Sequence, residues 1–180
     1  MKWMIASDLH GSAYYCRQLL DCFALEGAER LILLGDLLYH GPRNDLPRDY
    51  APKEVISLLN GVKNRLFCVR GNCDTEVDQM VLDFPVMADY CILAIEGKTM
   101  YATHGHIYNK DNLPPMMDGD ILIHGHTHVL KAENMGNYIL LNPGSVSIPK
   151  EGNPPTYAIL ENGIFTIKDF EGNTVREITL

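Results

Sequence analysis

The chain has no C-x-x-C pair, and its cysteines, at positions 16, 22, 68, 73 and 91, are odd in number. That excludes a disulfide framework and points to reduced thiols in a reducing compartment. No stretch approaches the ~20 apolar residues of a membrane span. The apolar start from Trp3 to Ala6 is broken at Asp8, too early for a signal-peptide core. The expectation is a soluble, cytoplasmic protein with no membrane partner. Basic residues are also short, with 15 Lys and Arg against 23 Asp and Glu for a formal charge of -8. Proteins that coat a nucleic-acid backbone need a basic surface, so no long nucleic acid is expected as partner. A small phosphate ligand held by a local cation stays open. Internal repeats and low-complexity tracts are absent as well.

What is present is an ordinary globular composition. With 180 residues and 46% apolar character, the chain can bury a real core as one domain, 1–180, without a structural metal. The apolar runs are short and β-rich: Trp3 to Ala6, Leu31 to Leu34, Leu66 to Val69, Thr99 to Ala102, Ile121 to Ile123, Tyr138 to Leu141 and Tyr157 to Leu160. Ser12 can cap a helix whose apolar positions Leu19, Leu20, Phe23 and Ala24 have helical spacing. Lys53 to Asn60 reads as a second helix ending at Gly61. The first half thus alternates strand and helix, which implies parallel strands.

The second half reads as hairpins, one turning at Glu96-Gly97-Lys98 and one at Glu161-Asn162-Gly163. The fold class expected is α/β, with two facing sheets in a sandwich flanked by helices. Two long loops, Tyr39 to Pro52 and Tyr108 to Gly119, stand out as functional or disordered segments. Their exposed apolar residues allow a homo-oligomer.

The chemistry sits after the strands. Asp8 and His10 follow the first, Asp36 the second, and Asn72, Cys73 and Asp74 the third. His104 and His106 follow the Thr99 strand, and His126 and His128 the Ile121 strand. In open α/β sheets, ligands bind beyond the carboxyl ends of the strands, so these side chains are expected to converge on one crevice. Each i, i+2 pair, Asp8 with His10 and His126 with His128, is read as leaving an extended segment with both members on one side. Glycines 11, 35, 71, 105 and 125 let the backbone turn sharply there or approach closely. Asp, His and Asn without thiolate suit Mn, Fe, Zn or Ni. Seven such donors exceed the needs of one ion; a pair ~3.5–4 Å apart would use them all. Taken singly, Asn72 reads as a turn residue and His104 or His126 as a loop histidine. Recurrence at five strand ends has no such explanation.

The motifs Asp8-x-His10, Gly35-Asp36, Gly71-Asn72-x-Asp74, His104-Gly105 and Gly125-His126-x-His128, in this order, resemble the calcineurin-like metallophosphoesterases. Asn142-Pro143-Gly144-Ser145 extends the likeness to a small bacterial branch. The resemblance implies a two-sheet sandwich flanked by helices and two divalent ions, with manganese preferred and zinc, iron or nickel as alternatives. It implies that Asp8, His10, Asp36 and His128 hold the first ion. Asp36 would bridge to a second ion held by Asn72, His104 and His126. Asp36, Asn72, Cys73 and His104 are then the residues nearest the chemistry, with Asp74 orienting a neighbour.

The expected activity is hydrolysis of a small phosphodiester, with a bridging hydroxide attacking phosphorus in line. Many family members carry histidine where this chain has Cys73. A neutral thiol of pKa ~8.5 is a poorer proton donor than an imidazolium, which implies weak or no monoesterase action. A space-filling Cys73 is the plainer reading. Competing functions are a nuclease, a cyclic-nucleotide phosphodiesterase, and a non-catalytic protein-binding module. The retromer subunit built on the same fold is the precedent for the last. Arg43, Arg48, His40, His106 and the Met116-Met117 loop are candidates for the pocket rim, and His124 for a core or supporting residue.

Overall fold

A computed structural model describes residues 1–180 throughout. In chain order its elements are β1 (Trp3–Ala6), α1 (Ala13–Leu25), β2 (Arg30–Leu33), α2 (Pro52–Gly61), β3 (Leu66–Cys68), α3 (Glu76–Gln79), β4 (Tyr90–Ile95), β5 (Lys98–Thr103), β6 (Ile121–Ile123), β7 (Lys131–Asn134), β8 (Ile139–Asn142), β9 (Thr156–Glu161), β10 (Ile164–Asp169) and β11 (Thr174–Thr179). One sheet has the order β11-β10-β9-β1-β2-β3 and the other β4-β5-β6-β8-β7. Both are mixed. The β1-β2-β3 ladder is parallel, as is β5-β6-β8, and the remaining pairings are antiparallel. The two-sheet sandwich is the expected fold.

Strand alternation decides which side chains meet. Ile5 of β1 and Ile32 of β2 face the second sheet, where they pack with Met100, Ala102, Ile121, Ile123, Ile139 and Leu141. Their neighbours Met4, Ala6, Leu31 and Leu33 face the other way, against α1 and α2. Ser12 caps α1 by accepting from Tyr15 N at 3.3 Å, a contact worth ~1 kcal/mol. The buried face of α1 is Ala13, Cys16, Leu19 and Phe23. It is rotated from the expected stripe, because Leu20 is half-buried and Ala24 exposed. In α2, Pro52 opens the helix, where its missing N–H costs nothing, and Val55 and Leu59 are buried.

The helices lie on the first sheet alone. Leu122, Tyr138 and Leu140 on the outer face of the second sheet pack with Tyr101 and Met116. Tyr101 Oη donates to the Pro115 carbonyl at 2.8 Å, so the 108–119 loop supplies this layer instead of a helix. Both hairpins turn where expected, with positive φ at Glu96-Gly97 and Asn162-Gly163, the type I′ pattern. β7 and β11 had no sequence signal. Both end their sheets and are polar, with β11 almost wholly exposed, so no apolar alternation marks them.

Candidate metal centre

All five ligand-bearing segments leave the carboxyl ends of their strands, three from the first sheet (β1, β2, β3) and two from the second (β5, β6). Backbone bonds continue past the strands into these loops. Asp8 N donates to the Gly35 carbonyl at 3.2 Å, His10 N to Asp36 at 2.9 Å and Gly125 N to His104 at 2.9 Å. The ligand loops are therefore laced to one another and not merely adjacent.

The backbone at the ligands differs from the extended conformation expected. Asp8, His10, Asp36, His126 and His128 all have positive φ, between 50° and 63°. Non-glycine residues reach this left-handed region only at a cost of order 1–3 kcal/mol, and such strain collects at functional sites. Side-chain types in a sequence do not reveal it. The close approach expected of the glycines is real. A Cβ on Gly71 would occupy the space of the Asp36 carboxylate, and one on Gly125 would meet Ser7 and Asp8.

The structure brings all seven expected donors together. The ligand atoms of Asp8, His10 and His128 lie within 4.8 Å of one another, as do those of Asp8, Asp36 and His104. Asp36 Oδ2 stands between the halves, 3.6 Å from His10 Nε2 and 3.5 Å from His104 Nε2. On the far side, His104 Nε2 is 3.1 Å from Asn72 Oδ1 and 3.2 Å from His126 Nδ1. Carbonyl oxygens fix the rings: Nδ1 of His10, His104 and His128 donates to Tyr39, Leu34 and Ile148 at 2.8, 2.6 and 2.8 Å. A carbonyl only accepts, so each Nδ1 carries a proton and each Nε2 is presented inward, as a metal requires.

One atom carries the test of fit. Asp8 Oδ1 is buried and has no hydrogen-bond partner, although it is 3.2 Å from His128 Nε2 and 3.7 Å from His10 Nε2. An orphaned carboxylate oxygen among inward nitrogen lone pairs is a costly arrangement without a cation. Charge behaves accordingly. Burial alone would raise Asp8, yet the imidazoles of His10 and His128 hold its carboxyl well below the usual range. Burial opposes a charged His10, but Asp8 outweighs it and the ring is shifted up. The Asp8–His10 corner thus favours a positive charge. Burial, helped by His104, pushes His126 down to about 4, which leaves it neutral and able to ligate.

The supporting residues are equally ordered. Asp74, buried, accepts from Asp36 N and Gly71 N, both at 2.7 Å, and from Leu37 N at 2.9 Å. It orients the Asp36 loop, the part expected of it. Asp36 Oδ1 is taken by Cys73 N at 2.9 Å, leaving Oδ2 for the centre. Asn72 Nδ2 points at Cys73 Sγ, 3.3 Å away, which turns Oδ1 inward. Burial, together with the charge of Asp36, pushes the Cys73 thiol up to about 12, so it stays protonated.

The Asn142 motif, which had only a family likeness to recommend it, braces the same loops. Asn142 Nδ2 donates to the Gly125 carbonyl at 2.9 Å, and the Ser145 and Ser147 hydroxyls donate to the Asp8 carbonyl at 2.9 and 3.0 Å.

The rim candidates divide. Arg43 lines a 380 Å³ cavity over Asp36, Asn72, Cys73 and His128. His106 and His124 line a neighbouring 210 Å³ cavity that shares His126. Arg48 stacks on the Tyr14 ring at 3.5 Å, and His40 packs edge-on against Tyr50; neither lines either cavity. Met116 belongs to the outer layer of the second sheet. Lys150, which sequence reasoning did not single out, lines the larger cavity. It arrives there because its N donates to the His128 carbonyl at 3.0 Å, a pairing no motif announces.

The likeness extends to known proteins. Residues 1–163 match the calcineurin-like phosphoesterase superfamily domain. The chain is 48% identical over 167 residues to phosphodiesterase YfcE of Escherichia coli K12, covering 93% of this chain and 91% of that one. Phosphodiesterase MJ0936 of Methanocaldococcus jannaschii is 25% identical over 188 residues, covering 100% and 99%. The structure of E. coli YfcE, described as a phosphoesterase, superimposes with a TM-score of 0.97 at 44% identity over 99% of both chains. Vps29 of Cryptosporidium parvum shares the fold, with a TM-score of 0.64 at 17% identity over 99% and 98% of the chains. On the domain match, the identity to YfcE and the shared fold, the chain belongs to the calcineurin-like phosphoesterase superfamily.

Proposed function

We propose that this chain is a metal-dependent phosphodiesterase acting on a small phosphodiester, with little action on monoesters. The observation that carries the reading is the buried, unpartnered Asp8 Oδ1 beside the inward-facing Nε2 atoms of His10 and His128. Such a donor set fits a divalent cation, and the 48% identity to a phosphodiesterase supports the reaction class. The reading takes residues 1–180 as one domain. The apolar layer between the sheets, which draws on residues from Ile5 to Ile167, supports that.

Asp8, His10, Asp36 and His128 would hold one ion, and Asp36, Asn72, His104 and His126 the other. When bound, two divalent ions supply Lewis acidity, activate a water and stabilise charge on the phosphoryl oxygens. The chain's own part is positioning. Carbonyls of Tyr39, Leu34 and Ile148 fix three rings, and Asp74 fixes the Asp36 loop. Cys73 lines the cavity, and a thiol is a less efficient proton donor to a departing alkoxide than an imidazolium. Esters with acidic leaving groups depart without such help, which favours activated diesters. Manganese is our choice of metal, and the nitrogen and oxygen donors equally admit iron, zinc or nickel. A cytoplasmic location agrees with five free cysteines and with the absence of any helix long and apolar enough to cross a membrane. A homo-oligomer is compatible with exposed Tyr39 and Leu46 in the first loop and Leu113 and Met117 in the second.

The binding-module alternative lacks support, because every donor position is filled. The test is hydrolysis of bis(p-nitrophenyl) phosphate and p-nitrophenyl phosphate by metal-stripped protein titrated with manganese. Diester turnover well above the monoester rate is expected. Equal turnover of both would remove the selectivity argument. No turnover with any divalent ion would move the binding module to first place.

A further inference from the structure

Apart from Gly41, Pro42 and Cys73, the larger cavity is lined by polar and charged residues, with no Phe, Tyr or Trp. It lacks the large aromatic side chains on which bases most often stack. Its charge is equally distinctive. Of the 15 Lys and Arg side chains, all but Arg43, Lys53, Lys98 and Lys150 engage a carboxylate, a carbonyl or an aromatic ring. Two of those four, Arg43 and Lys150, line this single cavity. They do so on a chain whose net charge is -8.

Their backbones are tied to the metal centre through two different residues, His128 and His10. Lys150 N donates to the His128 carbonyl at 3.0 Å. The loop carrying Arg43 is held by the His10 bond to the Tyr39 carbonyl and by Asn44 Nδ2 on the His40 carbonyl, both at 2.8 Å. Gly41, with φ 79°, lets that loop close onto Cys73 Sγ. Both cations are thus set at fixed places on the rim, although their side chains are free.

One phosphodiester group brings a single negative charge. Two divalent ions less the Asp8 and Asp36 carboxylates and one bound hydroxide already offset it by simple charge balance. Two further unpaired cations facing the same space are surplus to that group, and cations confined in a cleft focus a field on an anion. Resting on the phosphodiesterase reading above, we propose that Arg43 and Lys150 form an anion subsite. They would recognise a second negatively charged group, a phosphate or a carboxylate, on a polar non-aromatic alcohol of the substrate. The preferred substrates are then dianionic or trianionic diesters.

Two p-nitrophenyl phosphodiesters that differ only in the other alcohol, 2-carboxyethyl against 2-carbamoylethyl, isolate the added charge. Manganese-loaded protein is expected to favour the carboxylate by about tenfold in kcat/KM, through KM. The Arg43→Gln/Lys150→Gln double variant should bring that ratio to about 1, as should high salt. A ratio near 1 in the unmodified protein, or a preference retained by the double variant, overturns the subsite. If neither diester turns over, the reaction assignment has failed and not yet the subsite. Calorimetric titration with inorganic pyrophosphate and with phosphate then decides. A pyrophosphate preference lost in the double variant supports the subsite, and no preference removes it.

Discussion

His10 Nε2 and His128 Nε2 face each other at 3.3 Å, while the Nδ1 of each ring is committed to a main-chain carbonyl. Two lone pairs at this distance repel unless a proton or a cation stands between them. A divalent cation held there would be favoured by both nitrogens and by the Asp8 carboxylate. Addition of manganese to chelator-treated protein should raise Tm. At a metal concentration of 100 Kd, linkage supplies ~2.7 kcal/mol, which for a chain of this size is roughly 5–10 °C. Differential scanning calorimetry reads it directly. No rise with manganese, zinc, iron or nickel would sink the metal centre.

Asp74 is the residue whose loss should propagate furthest without touching a ligand set itself. Its carboxylate satisfies three backbone N–H groups, of Asp36, Leu37 and Gly71, all buried behind the centre. In Asp74→Ala these donors lose their partner, at ~1–3 kcal/mol for each buried group left unsatisfied. Asp36 loses its orientation as well, which should weaken metal binding by ~10–100-fold. Thermal melts paired with a manganese titration separate the two effects. A variant with normal affinity and a lowered Tm would reduce Asp74 to a purely structural role.

The reach of the sequence follows from what each feature depends on. Ligand convergence depends on residue type at strand ends, so Asp8, Asp36, His104 and His126 were legible. The left-handed backbone at Asp8, His10, Asp36, His126 and His128 depends on tertiary bonds such as His126 N to Asp8 Oδ2 at 3.0 Å, and leaves no trace in residue type. β7 and β11 escaped because an edge strand with polar faces has no alternation to read. Lys150 escaped because its position is set by a backbone bond to His128, 22 residues earlier in the chain. On α1 several apolar stripes fit the helical period, so spacing alone does not separate Leu19 and Phe23 from Leu20 and Ala24. Packing on β1 and β2 selects the one through Cys16 and Leu19.

Away from the centre, Glu26 joins distant parts of the first sheet. Its carboxylate receives Lys2 Nζ at 2.9 Å, Lys168 Nζ at 2.7 Å and Tyr157 Oη at 3.2 Å. Burial would raise Glu26, but the two ammonium groups outweigh it and its pKa falls below 4.5. Because the folded value lies below the unfolded one, the contribution is present above pH 4.5 and fades as pH falls through the folded pKa. Lys2 is raised above 10.5, chiefly by the bond to Glu26, so its share fades only at more alkaline pH, through its folded pKa. Glu26→Gln should cost roughly 2 kcal/mol at neutrality. The gap from the unmodified protein should narrow in urea melts as pH drops below 4.5. A gap independent of pH would mean that packing, not charge, accounts for the loss.

Cys73 offers the sharpest separation between chemistry and scaffold. Its thiol lines the larger cavity, burial with the Asp36 charge pushes it up to about 12 in the metal-free protein, and a thiol is a poorer proton donor than an imidazolium. Imidazole in its place is a competent proton donor, and general acid catalysis is worth ~10²–10⁴-fold when the leaving group needs it. Space is the constraint, since a Cβ on Gly41 would stand 3.3 Å from Sγ and a larger side chain must push the 41–44 turn outward. For Cys73→His, turnover of diesters with alkyl leaving groups should rise by at least ~10-fold relative to p-nitrophenyl diesters. The comparison is made within one variant, so a general loss from the displaced turn cancels. A p-nitrophenyl to alkyl ratio identical to that of the unmodified protein would assign Cys73 to filling space beside Asp36.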